Sequence, residues 1–189
     1  RFGVRQRAAM QEKGARPDML VMSATPIPRT LALILYGDLD ISVIDELPPG
    51  RKPIKTSLIP PQKREDMYVY LAKQAAEEGL QSYVVCPLIE ESENIDCPSV
   101  STLFQQLKKA LPKTRIGMLH GQMKDAEKER VMRAFRAGEI DILVTTTVIE
   151  VGVHVENACF MVVEGAERFG LSQLHQLRGR VGRSAKQAY

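Results

Sequence analysis

Residues 116–144, IGMLHGQMKDAEKERVMRAFRAGEIDILV, decide how this chain is built. An apolar run from Ile116 to Leu119 leads into His120-Gly121. A charged segment, Asp125 to Phe135, follows with Val131, Ala134 and Phe135 on one side, and then a second apolar run, Ile142-Leu143-Val144. Short apolar runs bounded by turn residues read as buried strands, and apolar residues three and four apart mark the inner face of a helix. The unit is strand, helix, strand. The many charges of residues 124–136 are then the solvated face of that helix.

The unit recurs on either side. Upstream, Ile54 to Ile59 predicts a strand, and Tyr68, Leu71, Ala72 and Ala75 fall at i, i+3, i+4 and i+7 of a helix. Tyr83-Val84-Val85-Cys86 predicts a buried strand, then an acidic loop from Glu90 to Asp96, then a helix with Leu103, Leu107 and Leu111 on one side. Downstream, Phe160 to Val163 predicts a strand, and Leu171, Leu174, Leu177 and Val181 recur at helical spacing. Alternating strands and helices of these lengths imply parallel crossovers, hence an α/β fold with a doubly wound parallel sheet and helices on both faces. Ligands of such sheets gather at the carboxyl ends of the strands. Nearer the start, Met19 to Met22 reads as a strand that stops at Ser23-Ala24-Thr25-Pro26 and leads into a helix through Leu31 to Leu35. The densest cluster of breakers, Pro48-Pro49-Gly50-Arg51-Lys52-Pro53, is read as a linker between that opening portion and the rest.

The chain has 189 residues, 44% of them hydrophobic, enough for one well-filled core. Its 26 Lys+Arg against 23 Asp+Glu give +3, a balance that permits a nucleic-acid partner without demanding one. Cys86, Cys97 and Cys159 are odd in number and lack C-x-x-C spacing, so neither a metal site nor a disulfide framework is expected, and a reducing cytoplasm fits best. No apolar stretch approaches the ~18 to 20 residues of a membrane span, and the Arg1-Phe2-Gly3 start leads us to expect a piece of something larger.

Polar clusters fall where the fold places a site. Gln173-Leu174-His175-Gln176-Leu177-Arg178-Gly179-Arg180-Val181-Gly182-Arg183 spaces three guanidinium groups around glycines. Arginine is charged at every working pH and its planar fork matches phosphate oxygens, so the run suits a polyphosphate; Arg-Gly repeats also occur in solvated loops. Ser23-Ala24-Thr25 either caps a helix or binds phosphate. His120, with Gly121 giving a sharp turn, is either a structural histidine or a substrate contact. Thr145-Thr146-Thr147 either extends its strand or lines a groove that follows a sugar-phosphate backbone, with Gly152 breaking the run.

In order and spacing, Ser23-Ala24-Thr25, the segment from Thr145 to His154 and the segment from Gln176 to Arg183 resemble motifs III, V and VI of the superfamily 2 helicases. The text from Ala24 to Leu33, Tyr36-Gly37-Asp38-Leu39-Asp40 and the run from Asp45 to Ile54 resemble, within it, the ATP-dependent DNA helicases that remodel branched DNA. Transcription-repair coupling translocases share the wording of Ala24 to Leu31 and Gln173 to Arg183 but not the Leu47-Pro48-Pro49-Gly50 text, and come second. The resemblance implies a RecA-like fold of P-loop NTPase type, with residues 1–49 the tail of a first motor domain plus linker and residues 50–189 the second, truncated at its end. It implies ATP and Mg²⁺, both held mainly by a first domain whose phosphate loop and Asp-Glu motif are absent from this sequence, so this segment alone is expected to lack ATPase activity. By motif position Arg180 and Arg183 would be catalytic, Arg183 as the arginine finger. Gly152, His154, Gln176 and Gly179 would line the nucleotide, Ser23, Ala24 and Thr25 would couple hydrolysis to domain movement, and His120, Gly121, Thr145 and Thr146 would hold DNA. Partners implied are forked or four-way DNA and the first motor domain of a monomeric full-length protein, with no membrane. A binding module of this fold without an ATPase cycle is the rival from another class. His154, Glu156 and Ser184 depart from the family's usual Asp, Pro and Gly.

Overall fold

A computed structural model of the chain describes residues 20, 22, 42–46, 50–87, 99–146 and 155–189. The chain divides into two units, Arg1–Gly37 and Asp38–Tyr189, and the fold below belongs to the second. Four strands, β1 (Gln81–Val85), β2 (Ile116–Leu119), β3 (Ile142–Thr145) and β4 (Ala158–Val163), form one parallel sheet in the order β2-β3-β1-β4. Its helices among the described residues are α1 (Arg64–Glu78), α2 (Val100–Ala110), α3 (Asp125–Arg136) and α4 (Leu171–Arg178).

Local chemistry fixes the ends of these elements. The α1 helix follows the Pro60-Pro61 turn, carries Glu65 and Asp66 in its first turn, and stops at Gly79, whose φ of 64° sends its N–H to the Ala75 and Gln74 carbonyls. Acids favour a helix N-terminus, and glycine takes the left-handed cap without steric cost. Ser99 caps α2 by accepting the Thr102 N–H at 3.2 Å. The α3 helix places Asp125 and Glu127 at its start and Arg133 and Arg136 at its end, which complements its dipole.

Each strand of the crossover contributes alternate residues to two cores. Tyr68 and Leu71 of α1 with Leu103 and Leu107 of α2 pack on Val84, Ile142 and Val144 on one face. Phe135 of α3 packs on Tyr83, Leu119 and Leu143 on the other, where α4 also sends Leu177 against Val85. All five residues of β1 are buried. At the amino-terminal end of the sheet Gln81 Nε2 donates to the Phe135 and Ile140 carbonyls at 2.6 and 2.7 Å, and Asp141 accepts the Arg115 backbone N–H at 2.8 Å and pairs with its guanidinium. These bonds satisfy groups that burial would otherwise leave orphaned.

Three expectations need correction. Ile54 to Ile59 forms no strand: Leu58 and Ile59 are exposed, and apolar composition supplied no pairing partner beyond the Lys55 N–H bond to the Ala188 carbonyl at 3.0 Å. The last helix ends at Arg178, so Leu171 at its first position is 86% exposed and Val181 reaches the core from the loop beyond it. Of the strand expected at 19–22, Leu20 and Met22 are exposed and outside any strand, and the other two positions lie outside the described residues, as does the acidic loop at 90–96.

Phe135 is fully buried, with its ring centroid 4.9 Å from that of Tyr83. Phe135→Ala is expected to lower unfolding free energy by about 3 to 5 kcal/mol in urea titrations, through lost transfer energy and a cavity.

Candidate functional site

Register places Leu119, Thr145, Val85 and Val163 in one row across the sheet, so the residues just after them form its carboxyl rim. His120 and Gly121 lie there after β2, in a turn closed by the Met123 N–H to His120 carbonyl bond at 3.2 Å. Thr145 ends β3 there and Thr146 follows it. The Thr145 side chain is fully buried and its hydroxyl donates to the Thr146 carbonyl at 2.8 Å, so it is committed inside the protein. Thr146 differs: its N–H bonds the Leu119 carbonyl at 3.2 Å, while its buried Oγ1 has no partner among the described residues. A buried hydroxyl without a partner costs about 1 to 3 kcal/mol, which an arriving acceptor or donor recovers. Four of the expected DNA-binding residues thus share one rim.

The arginine loop is anchored elsewhere, on the face of the sheet that carries Tyr83. Val181 is 1% exposed and packs with Tyr83, Phe135 and Leu143. Gly179 caps α4 and receives the Arg183 Nε–H on its carbonyl at 3.1 Å. Gly182 has a φ of 69°, and a Cβ there would sit 2.9 Å from Ile54 Cγ1. Only glycine meets both demands, and the turn it makes brings Arg180 and Arg183 to one side. Arg183 sits below the usual arginine value, first through partial burial and then through the charges of Arg180 and Arg51. The residue as a whole is exposed and arginine keeps its proton, so the guanidinium remains charged. Among the described residues none of Arg51, Arg180 and Arg183 pairs with a carboxylate. Like charges held together without a counterion make a receptor for a polyanion.

Gln176 is exposed one turn before Gly179. Ser23, Ala24, Thr25, Gly152 and His154 lie outside the described residues. A depression lined by Ala72, Ala75, Leu111, Thr114, Arg115 and Asp141 sits at the opposite, amino-terminal end of the strands, away from the rim.

Sequence reading passed over three contributors. Arg51 was part of a breaker cluster, yet its Nε donates to the Gly182 carbonyl at 2.8 Å. Tyr83, taken as a strand residue, lies close enough to Arg180 and Arg183 that both lower its pKa, although burial raises it more, up to about 12. Glu164, directly after β4, accepts from Arg64 Nε at 3.0 Å and from the Tyr68 hydroxyl, pinning the start of α1 to the rim. Burial is the main cause that pushes the Tyr68 phenol well above its ordinary value. Each of these pairs is about 100 residues or more apart or crosses elements, where periodicity carries no signal.

A parallel sheet covered on both faces, with hydroxyls at its carboxyl rim and an arginine loop across one face, has the RecA-like fold of helicase C-terminal domains. The chain belongs to the helicase conserved C-terminal domain family, whose pattern matches residues 62–185. It is 56% identical to the ATP-dependent DNA helicase RecG of Synechocystis sp. over 100% of this chain and 23% of that one. It is 54% identical to the ATP-dependent DNA helicase RecG of Escherichia coli (strain K12) over 98% of this chain and 27% of that one. Among solved structures, RecG bound to a three-way DNA junction superposes with a TM-score of 0.73 at 50% identity, over 90% of this chain and 22% of that one. The chain therefore spans about a quarter of the length of the curated relatives it matches. Among the described residues no helix is long and apolar enough to cross a membrane.

Gly182→Ala is expected to cost about 1 to 3 kcal/mol in urea unfolding, from left-handed backbone strain and crowding on Ile54. A pH dependence follows from Tyr83. Its folded pKa lies above the ~10 of an unfolded tyrosine, so its contribution is complete below pH ~10 and is lost as pH rises toward about 12. Unfolding free energy should fall less steeply between those limits in Tyr83→Phe than in the wild type.

Proposed function

We propose that residues 50–189 act as the second motor domain of a RecG-like ATP-dependent DNA helicase, residues 1–49 being the tail of the first motor domain and the linker. The single observation that carries this reading is the grouping of Arg180 and Arg183 on a glycine-built loop without a carboxylate partner among the described residues. It is supported by identities of 54 to 56% to RecG proteins over nearly the whole chain.

In this reading ATP is clamped between two motor domains, with Mg²⁺ and the phosphates held mainly by the first. Arg183 then reaches the transferred phosphoryl group as an arginine finger and Arg180 accompanies it, stabilising charge that develops as the phosphate bond breaks. Gln176, Gly179, Gly152 and His154 line the nucleotide. Because Arg183 already sits among positive neighbours, its interaction with a polyphosphate also relieves repulsion within the protein.

The carboxyl rim is the second grip. His120, Gly121, Thr145 and Thr146 form the rim that holds a DNA sugar-phosphate backbone, a reading supported by the Thr146 hydroxyl having no partner among the described residues. The buried Thr145 hydroxyl shapes the rim from within by donating to the Thr146 carbonyl. Ser23, Ala24 and Thr25 couple the two grips. Closure of the motor domains on ATP alternately tightens and relaxes the hold on DNA, so movement along it needs no sequence readout. The substrate is branched DNA, forks and four-way junctions in repair and recombination, and the full-length protein acts as a monomer.

In the complete protein, Arg183→Ala is expected to lower DNA-stimulated ATP turnover by roughly 10³ to 10⁵, with four-way-junction affinity retained. If that substitution instead weakens junction binding and flattens its salt dependence while turnover persists, the loop is a phosphate-backbone contact of a binding module and not a finger.

A further inference from the structure

We propose that Arg51 is a positioning residue for Arg183, acting from the start of the second motor domain by holding the carbonyl of Gly182. This rests on the arginine-finger reading above and extends it to a residue outside the helicase motifs.

The geometry is specific. Arg51 Nε donates to the Gly182 carbonyl at 2.8 Å, across 131 positions of sequence. That carbonyl belongs to the peptide that leads into Arg183, and Gly182 holds it with a φ of 69°. The contact is one of several along the same segment. Ile54 fills the space beside Gly182, with Cγ1 2.9 Å from where a Cβ would stand. Gln187 Nε2 donates to the Pro53 carbonyl at 2.9 Å, and the Lys55 N–H to the Ala188 carbonyl at 3.0 Å. Residues 51–55 therefore run as a strap along residues 182–188, whose Ala188 is 1% exposed.

A strap needs no charge, which makes the choice of residue informative. A neutral donor could hold a carbonyl, yet here a third guanidinium is brought near Arg180 and Arg183, where its charge is felt at Arg183. Like charges in proximity cost free energy that a polyphosphate recovers. Arginine also supplies a planar fork whose Nε–H is fixed in direction, so one bond orients the backbone rather than merely touching it. Flanked by Gly50 and Pro53, the strap ties the position of the domain's start to that of the finger, and a shift of one shifts the other. Displacements of about 1 Å at a reacting centre cost on the order of 100-fold in rate.

The test uses the complete protein, measuring ATP hydrolysis on a four-way junction together with the KM for ATP, junction affinity and thermal midpoint. Arg51→Ala and Arg51→Lys are both expected to lower kcat roughly 10- to 100-fold. KM and junction affinity should stay within about twofold, because Arg51 orients the finger and does not bind either ligand. Lysine should fail to rescue, since it restores the charge but not the directed Nε–H. Wild-type kcat in both variants overturns the proposal. Rescue by lysine overturns it too, by assigning Arg51 a charge effect, and so does a kcat loss that only follows a lowered thermal midpoint. If instead the wild type shows no junction-stimulated hydrolysis, or Arg183→Ala leaves it unchanged, the finger reading itself has failed.

Discussion

Everything in this fold depends on the complete burial of β1. Its five residues have no solvent-facing side, so each neighbour in the sheet and each face must be covered by another element. Strands β3 and β4 satisfy its backbone on either edge, while α1 and α2 cover one face and α3 and α4 the other. Covering a parallel sheet in this way sends every connection back across it, which leaves all four strand ends at one rim. The polar residues His120, Thr145 and Thr146 collect there. Edge chemistry follows the same logic at β4: Tyr189 exchanges backbone bonds with it on both sides of Phe160, at 2.8 and 2.9 Å, and stacks on the Phe160 ring.

The two regions proposed to bind polyanions sit on different supports. The rim threonines and His120 are held by strand ends and hydrogen-bonded turns. The arginine loop lies across the Tyr83 face, fixed by Val181 below, by its own Arg183 to Gly179 bond and by the strap from Arg51 to Lys55. The proposed motor reading uses this separation, with one region assigned to the nucleotide and the other to DNA. A simple binding module would gain more from a single continuous basic groove.

The parts of this molecule that obey local rules were legible in the sequence. Tyr68, Leu71 and Ala75 follow helical spacing because one face of α1 must meet the sheet, and the buried strands announced themselves as short apolar runs. The grouping of Arg180 and Arg183 followed from Gly179 and Gly182, which let the chain turn. Ile54 to Ile59 misled because apolar content says nothing of a pairing partner: Ile54 is used to pack on Gly182, and Leu58 stays exposed. Leu171 misled because the helix starts at it, before the face meets the core. Arg51, Tyr83 and Glu164 were invisible for another reason. Their roles come from partners distant in the chain, and nothing in the local pattern around Arg51 distinguishes it from an ordinary linker residue.

The most direct measurement is a structure of the complete protein trapped on a four-way junction with ADP and a metal-fluoride mimic of the transferred phosphate. The account predicts the Arg183 guanidinium within about 3 Å of the mimic, with Arg51 still bonded to the Gly182 carbonyl and the Thr146 rim against the DNA backbone. An Arg183 side chain found on DNA phosphates, with the mimic untouched by this domain, would contradict it.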